Sequence, residues 1–129
     1  MVPYPDPVAI ALLATLPVLA DTVDDRISTN LDSTLPAIRL TKVADREPPS
    51  YWEATPIYQA EIWAEDEFQA GRIAWDLKNA WPTATHEVVG DALVTGRWVD
   101  FDPHSSPDPQ TELPRFLVGL GIRLSGVTT

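Results

Sequence analysis

The sequence predicts an α+β fold in which two helices pack on one face of a mostly antiparallel or mixed sheet of about five strands. Three observations lead to this prediction: an uncharged apolar segment at 8–20, a strand at 57–64 that runs through two acidic residues into an amphipathic helix, and a last strand with five apolar residues in phase. The chain of 129 residues has room for one core, so we expect a single domain spanning 1–129.

The first helix is predicted from the uncharged stretch that follows Asp6. We expect Asp6 as its N-cap and Pro7 at its first position, and Pro17 should end or kink it. Because no charged residue interrupts the stretch, most of the helix surface should be buried. A basic region does not precede it, which argues against a secretory signal. The stretch is also too short to span a bilayer, so we expect no membrane partner.

Five segments have the patterns of strands, and the last has the clearest alternation. The fourth is interrupted at Gly96, where we expect a bulge. The predicted strands are 25–29, 37–43, 57–64, 92–101 and 114–124. In the last of them, the residues predicted to share the core face are Phe116, Val118, Leu120, Ile122 and Leu124.

The second helix follows the third strand and carries two apolar surfaces. Asp66 with Gln69 predicts a capping box at its start, and Pro82 should stop it. Phe68 and Trp75 lie roughly opposite its core-facing arc. Two explanations are open: they pack on another helix of the chain, or a neighbouring subunit covers them, since exposed apolar surface marks interaction sites. The core-facing arc comprises Ala70, Ile73, Ala74, Leu77, Ala80 and Trp81.

The composition is strongly acidic. Nineteen Asp and Glu residues against nine Lys and Arg residues give a net charge of −10. This balance argues against a broad surface that grips nucleic acid, because such a surface needs cations to replace phosphate counterions. The chain has no cysteine, which excludes disulfides and thiol catalysis and fits a reducing cytoplasm.

A proline-rich connection separates the second and third strands. It contains Pro48 and Pro49, which are incompatible with a strand interior. Tyr51 and Trp52 lie at its far end and supply apolar area for docking. We expect residues 45–53 to be mobile in the free subunit, because the prolines and flanking charges leave them few local partners.

The nearest approach to a catalytic set is Asp100, Asp102 and His104. At alternate positions these side chains could face one side and bind a metal, as in a small metal-dependent hydrolase. The simpler interpretation is a solvated loop entry in which Asp102 and Pro103 begin a turn. Because no phosphate-binding loop or nucleophile motif is present, we predict a protein without catalytic residues, cofactor or metal.

The order of the elements is characteristic. An uncharged helix and a short strand pair precede the strand Tyr58–Ala64, which runs into the segment Asp66–Ala74; a Pro- and Asp-bearing loop then precedes the strand Arg115–Arg123. This order resembles the tail terminator (tail-completion) proteins of long-tailed bacteriophages. The resemblance implies a non-enzymatic virion protein, assembled in the host cytoplasm. Such a protein is expected to form a hexameric ring on the head-proximal end of the tail tube, to stop tube polymerisation and to join the tail to the neck.

The resemblance also implies partners. These are other copies of the chain, the tail-tube protein, and a neck or head-completion protein, with DNA passing through the channel without specific binding. A ring contact requires two different adhesive surfaces on each subunit. The two candidates are the Tyr51–Trp52 loop and the Phe68–Trp75 surface.

An acidic loop follows the fourth strand. Residues 102–112 include Asp102, Asp108 and Glu112 but no Lys or Arg, which suits a channel lining that repels phosphate. Solubility alone explains such residues equally well. A head-side connector or other neck subunit is the alternative function, because it shares the size, the acidity and the virion location.

Overall fold

The computed structural model describes residues 1–20, 22–23, 26–30, 34–83 and 86–127. Within these ranges it confirms the α+β class. The sheet has seven strands instead of about five, because short strands form at 53–54 and 87–89. The elements are α1 Pro5–Ala14, α2 Pro17–Ala20, β1 Ile27–Ser28, β2 Ala37–Asp45, β3 Glu53–Ala54, β4 Pro56–Trp63, α3 Glu67–Ala80, β5 Glu87–Val89, β6 Ala92–Ser105 and β7 Arg115–Gly126.

The sheet is mixed and is built around β7. Its strand order is β1-β2-β4-β7-β6-β5, and β3 pairs with β7 as well. β1 runs parallel to β2. The other pairs are antiparallel: β2 with β4, β3 with β7, β4 with β7, β5 with β6, and β6 with β7. The run predicted at 25–29 contributes only Ile27 and Ser28 as a strand, and its first residue, Asp25, lies outside the described residues.

The core lies between one face of the sheet and the helices. The alternation predicted for β7 is confirmed, because Val118, Leu120, Ile122 and Leu124 are buried and Phe116 packs against them. The predicted arc of α3 also faces this core. Trp81 closes the helix, and its indole nitrogen donates a hydrogen bond to the carbonyl of Gly121 at 3.1 Å.

The start of α1 differs from the prediction. The helix begins at Pro5 with Tyr4 in the N-cap position, so Asp6 lies in the first turn and is not the cap. The Asp6 carboxylate instead accepts hydrogen bonds from the hydroxyls of Tyr4 and Tyr58. Burial and this hydrogen bond raise the pKa of Tyr58. Asp6 therefore tethers α1 to the sheet, a role that local helix signals do not reveal.

Two helices were predicted, but the described residues form three, because residues 17–20 form a short helix of their own; the predicted helix breakers are confirmed. α1 ends at Ala14, and Pro17 begins the short α2. Asp66 is the N-cap of α3 and accepts a hydrogen bond from the backbone nitrogen of Gln69 at 2.8 Å. The last helical residue is Ala80, so the helix stops before Pro82 as its missing N–H requires.

Strand β6 is longer than predicted. A register shift at Gly96 confirms the expected bulge, and further shifts follow near Val99 and Phe101. The strand continues to Ser105, so the expected turn at Asp102 and Pro103 is wrong. The reason is that a bulge accommodates the proline, after which the pairing with β7 resumes.

Two glycines of β7 allow aromatic rings to lie on the face opposite the helices. A methyl carbon added at Gly119 would lie 2.2 Å from the Phe101 ring, and one added at Gly121 would lie 2.0 Å from the Trp98 ring. No side chain fits between these rings and the β7 backbone. The Arg46 guanidinium, 4.9 Å from the centre of the Trp98 ring, covers this indole in turn.

We predict that Gly121→Ala lowers the free energy of unfolding by about 1–3 kcal/mol, because the added methyl group overpacks the Trp98 contact. Gly96→Ala is the matched control, since a methyl group there meets no atom within 4 Å. Urea denaturation of both variants measures the effect. Equal stability of the two variants would contradict the close packing of Trp98 on β7.

Candidate functional site

The first candidate surface is an apolar groove between α3 and β7. It has a volume of about 480 Å³. Phe68 is 80% exposed and Trp75 is 43% exposed, so the explanation that they are buried on another helix of the chain is wrong. We call this surface the α3 groove; its lining residues are Glu67, Phe68, Gly71, Arg72, Trp75 and Phe116.

The floor of the α3 groove depends on a glycine. A methyl carbon added at Gly71 would lie 3.0 Å from the tip of the Phe116 ring. The glycine therefore lets the first apolar residue of β7 approach the helix backbone. Lys78 stands over the Trp75 ring, with its ammonium 4.8 Å from the ring centre, and also lies 3.4 Å from the Asp102 carboxylate. The groove is thus apolar inside and charged at its rim.

The second candidate surface is the β2–β3 loop, residues 46–52. Tyr51 and Trp52 are 63% and 71% exposed, and their rings meet edge to face with centres 4.6 Å apart. Two large rings therefore project together from one short loop. Contiguous apolar surface of this kind is typical of interaction sites.

The β2–β3 loop has more local partners than the sequence led us to expect. The Ser50 hydroxyl accepts hydrogen bonds from the backbone nitrogens of Trp52 and Glu53. The backbone nitrogen of Ser50 donates a hydrogen bond to the Glu53 carbonyl at 2.9 Å. The backbone nitrogen of Val2, in the N-terminal segment, donates one to the Tyr51 carbonyl. The reason given for mobility, a lack of local partners, is therefore wrong. Mobility of this loop in the free subunit remains a prediction.

The acidic residues predicted to line a channel fall into two groups. Asp108 and Glu112 belong to one turn, in which the backbone nitrogen of Glu112 donates to the Asp108 carbonyl at 2.8 Å. Hydrogen bonding by the Thr111 side chain lowers the pKa of Asp108. Asp102 lies on β6 and faces Lys78 of α3. The structure therefore brings together two of the three residues.

The alternative metal-ligand set on β6, Asp100, Asp102 and His104, is not assembled. Among the described residues, no group of three or more Asp, Glu or His side chains is arranged to hold a metal ion. Asp102 is paired with Lys78, and the imidazole of His104 lies against the Phe101 ring with centres 5.6 Å apart.

In the described ranges, no helix is long and apolar enough to cross a membrane.

Sequence reasoning missed a buried ionic cluster on the sheet face opposite the helices. Glu61 is only 4% exposed; it accepts a hydrogen bond from Arg39 and lies 3.6 Å from Arg115. The hydrogen bond to Glu61 raises the pKa of Arg39. Arg115 also stands 5.2 Å over the Trp63 ring. A carboxylate at an alternate position of an apolar strand was the available signal, but only strand register shows its partners.

Comparison with known proteins shows the fold. No protein-family model matches this sequence, and the curated proteins contain no match. Among solved structures, a chain of the virion of a native gene transfer agent (GTA) particle is similar, with a TM-score of 0.67 and 16% sequence identity. The similarity covers 90% of this chain and 90% of that chain. The fold of this protein is therefore one that a virion component also has.

Proposed function

We propose that this protein is a structural component of a phage or phage-like virion. In the proposed role it forms a ring, a hexamer, at the head-proximal end of the tail tube, ends tube polymerisation and joins the tail to the neck. The observation that carries the proposal is the fold shared with a GTA virion chain over 90% of both chains. Nearly the whole domain is covered, so the likeness extends beyond a common strand-and-helix motif.

The exposed aromatic surfaces support an assembly role. A ring contact is heterologous, which means that two different patches of each subunit meet. The α3 groove and the Tyr51–Trp52 loop are two such patches, and both remain exposed in the single chain. Aromatic side chains at these positions are the type that contributes most to interface energy.

The lining of the α3 groove supports a role without catalysis. The α3 groove is lined mainly by rings and a glycine, with charges only at its rim. Two residues of the alternative metal site have other contacts, because Asp102 pairs with Lys78 and His104 lies against Phe101. The proposed partners are accordingly proteins: other copies of this chain, the tail-tube protein, and a neck or head-completion protein.

The charge of the chain fits a channel through which DNA passes. A net charge of −10 repels phosphate, so a ring of such subunits would not grip the DNA. The turn that holds Asp108 and Glu112 is a compact acidic element for such a lining. Asp102 is a weaker candidate, because Lys78 offsets its charge.

A head-side connector or other neck subunit is the second candidate function. The virion fold and the acidic surface fit it equally. Binding separates the two roles: a terminator binds the tail-tube protein, whereas a connector binds the portal or the head-closure ring. Co-purification with each of these proteins in turn is the direct comparison.

We predict that Trp75→Ala weakens self-association by about 2 kcal/mol or more per contact while changing stability much less, because Trp75 is partly exposed and lines the α3 groove. Leu77→Ala is the matched control on the same helix. Leu77 is fully buried, so its loss should cost about 2–5 kcal/mol of stability. Light scattering and urea denaturation measure the two quantities. A wild type that is monomeric at every concentration would contradict the prediction.

We predict that phage lacking this protein build tails of uncontrolled length that fail to join filled heads. Asp102→Ala and His104→Ala should leave tail length normal, because both residues are exposed and neither belongs to an assembled metal site among the described residues. Electron micrographs of lysates from the three genotypes give tail lengths. Normal tails in the deletion would refute the terminator role, and abnormal tails in the point variants would restore the metal hypothesis.

A further inference from the structure

The two aromatic surfaces lie at opposite ends of one strand. Phe116, near the start of β7, forms part of the α3 groove. The β2–β3 loop leads into Glu53, which pairs with Ser125 near the end of β7. A strand rises about 3.3 Å per residue, so these positions are about 30 Å apart along β7. The loop of a chain therefore cannot reach the groove of the same chain.

The groove and the loop are complementary in shape. The α3 groove is an open space of about 480 Å³ with an aromatic floor and wall. The loop presents Tyr51 and Trp52 as a projecting pair of rings in edge-to-face contact. Aromatic rings favour edge-to-face and offset contacts with one another, which Phe68, Trp75 and Phe116 can supply.

The charges at the two surfaces are complementary as well. Arg72 lines the groove, is exposed, and forms no ion pair with the described residues. Glu47 stands on the loop; its carboxylate lies 3.9 Å from Arg123 of the same chain, but its side chain is 60% exposed and so remains accessible to a second cation. Two copies of a chain with a net charge of −10 repel each other over most of their surfaces. A contact that places the unpaired Arg72 near Glu47 lowers this repulsion.

Contacts of the loop with its own chain favour one shape. Ser50 hydrogen bonds close the turn, Arg46 bonds through its backbone nitrogen to the Thr55 carbonyl at 2.9 Å, and its guanidinium packs on Trp98. Each contact that restricts the loop before binding reduces the conformational entropy that the loop loses on binding. These contacts therefore lower the entropic cost of docking the two rings.

We propose that the Tyr51–Trp52 loop of one subunit fills the α3 groove of the next copy of the same chain. This inference rests on the proposed ring and names its contact. The contact joins one end of β7 to the other end of β7 in the neighbour, so it is heterologous and continues from subunit to subunit. When the rotation between neighbouring subunits brings the last subunit back to the first, the repeated contact closes into a ring.

The absence of native cysteine gives a direct test. Pro49→Cys places a thiol on the loop, and Glu67→Cys places one at the groove rim. Both positions are exposed, and neither substitution removes an aromatic side chain from the loop or the groove. The mixed variants should form disulfide-linked dimers under a mild oxidant. Each variant alone should form none, because a heterologous contact never brings two identical positions together.

The remaining outcomes are distinguishable by native mass spectrometry of the same samples. Oligomers without a mixed disulfide would overturn this pairing and leave the ring intact. Disulfide dimers of either variant alone would show a symmetric contact and would also overturn it. A protein that is monomeric at every concentration, with and without tail-tube protein, would overturn both the pairing and the proposed function.

A second measurement tests the energetic role of the rings. Trp52→Ala and Phe68→Ala should each raise the dissociation constant of the assembly about thirtyfold or more, as expected for interface hot spots. Val88→Ala is the matched control, because Val88 is 64% exposed on β5 and lies outside both surfaces. Circular dichroism checks that all three variants remain folded. An equal effect of the three substitutions would overturn the proposal.

Discussion

The structure depends on the covering of β7 on both of its faces. This strand pairs with β3, β4 and β6 and lies in the middle of the sheet. Its apolar residues pack under α3, while Gly119 and Gly121 let aromatic rings lie directly on its other face. A side chain larger than hydrogen at either glycine would push a ring away. The second layer of packing is therefore built from strand and loop residues, without another helix.

The face opposite the helices changes character along the sheet. At one end it is aromatic, where Trp98 and Phe101 cover β7. At the other end it is ionic, where Glu61 is buried between Arg39 and Arg115. A buried carboxylate is tolerated only when cations and hydrogen bonds compensate its lost hydration. Because the three residues come from three neighbouring strands, the cluster ties β2, β4 and β7 together in a single register.

The ionic end also organises the acidic loop. Arg115 donates a hydrogen bond from its Nε to the Ser106 carbonyl at 2.8 Å, and Ser106 in turn donates its backbone nitrogen to the Arg115 carbonyl. The loop between β6 and β7 is thereby pinned where it leaves the sheet. Its acidic turn at Asp108 then closes on itself through Thr111. An acidic surface of defined shape results, as the proposed channel lining would require.

The local pattern of the sequence determined which residues face the core. Alternation identified the buried side of β7, helical periodicity identified the buried arc of α3, and Asp66 and Pro82 marked the ends of that helix. These signals are local, because each depends on the geometry of one element. The exposed aromatic residues of α3 were identified in the same way, because their positions do not follow the periodicity of its buried arc.

Only the tertiary structure decided which distant residues meet. Asp6 was predicted as a helix cap, but its partner is Tyr58 on β4. The extension of β6 through Pro103 depended on pairing with β7, and the partners of Glu61 depended on the register of three strands. The exposure of Phe68 and Trp75 was likewise open until the positions of all helices were known. Contacts of this kind join residues far apart in the chain, and no local periodicity encodes them.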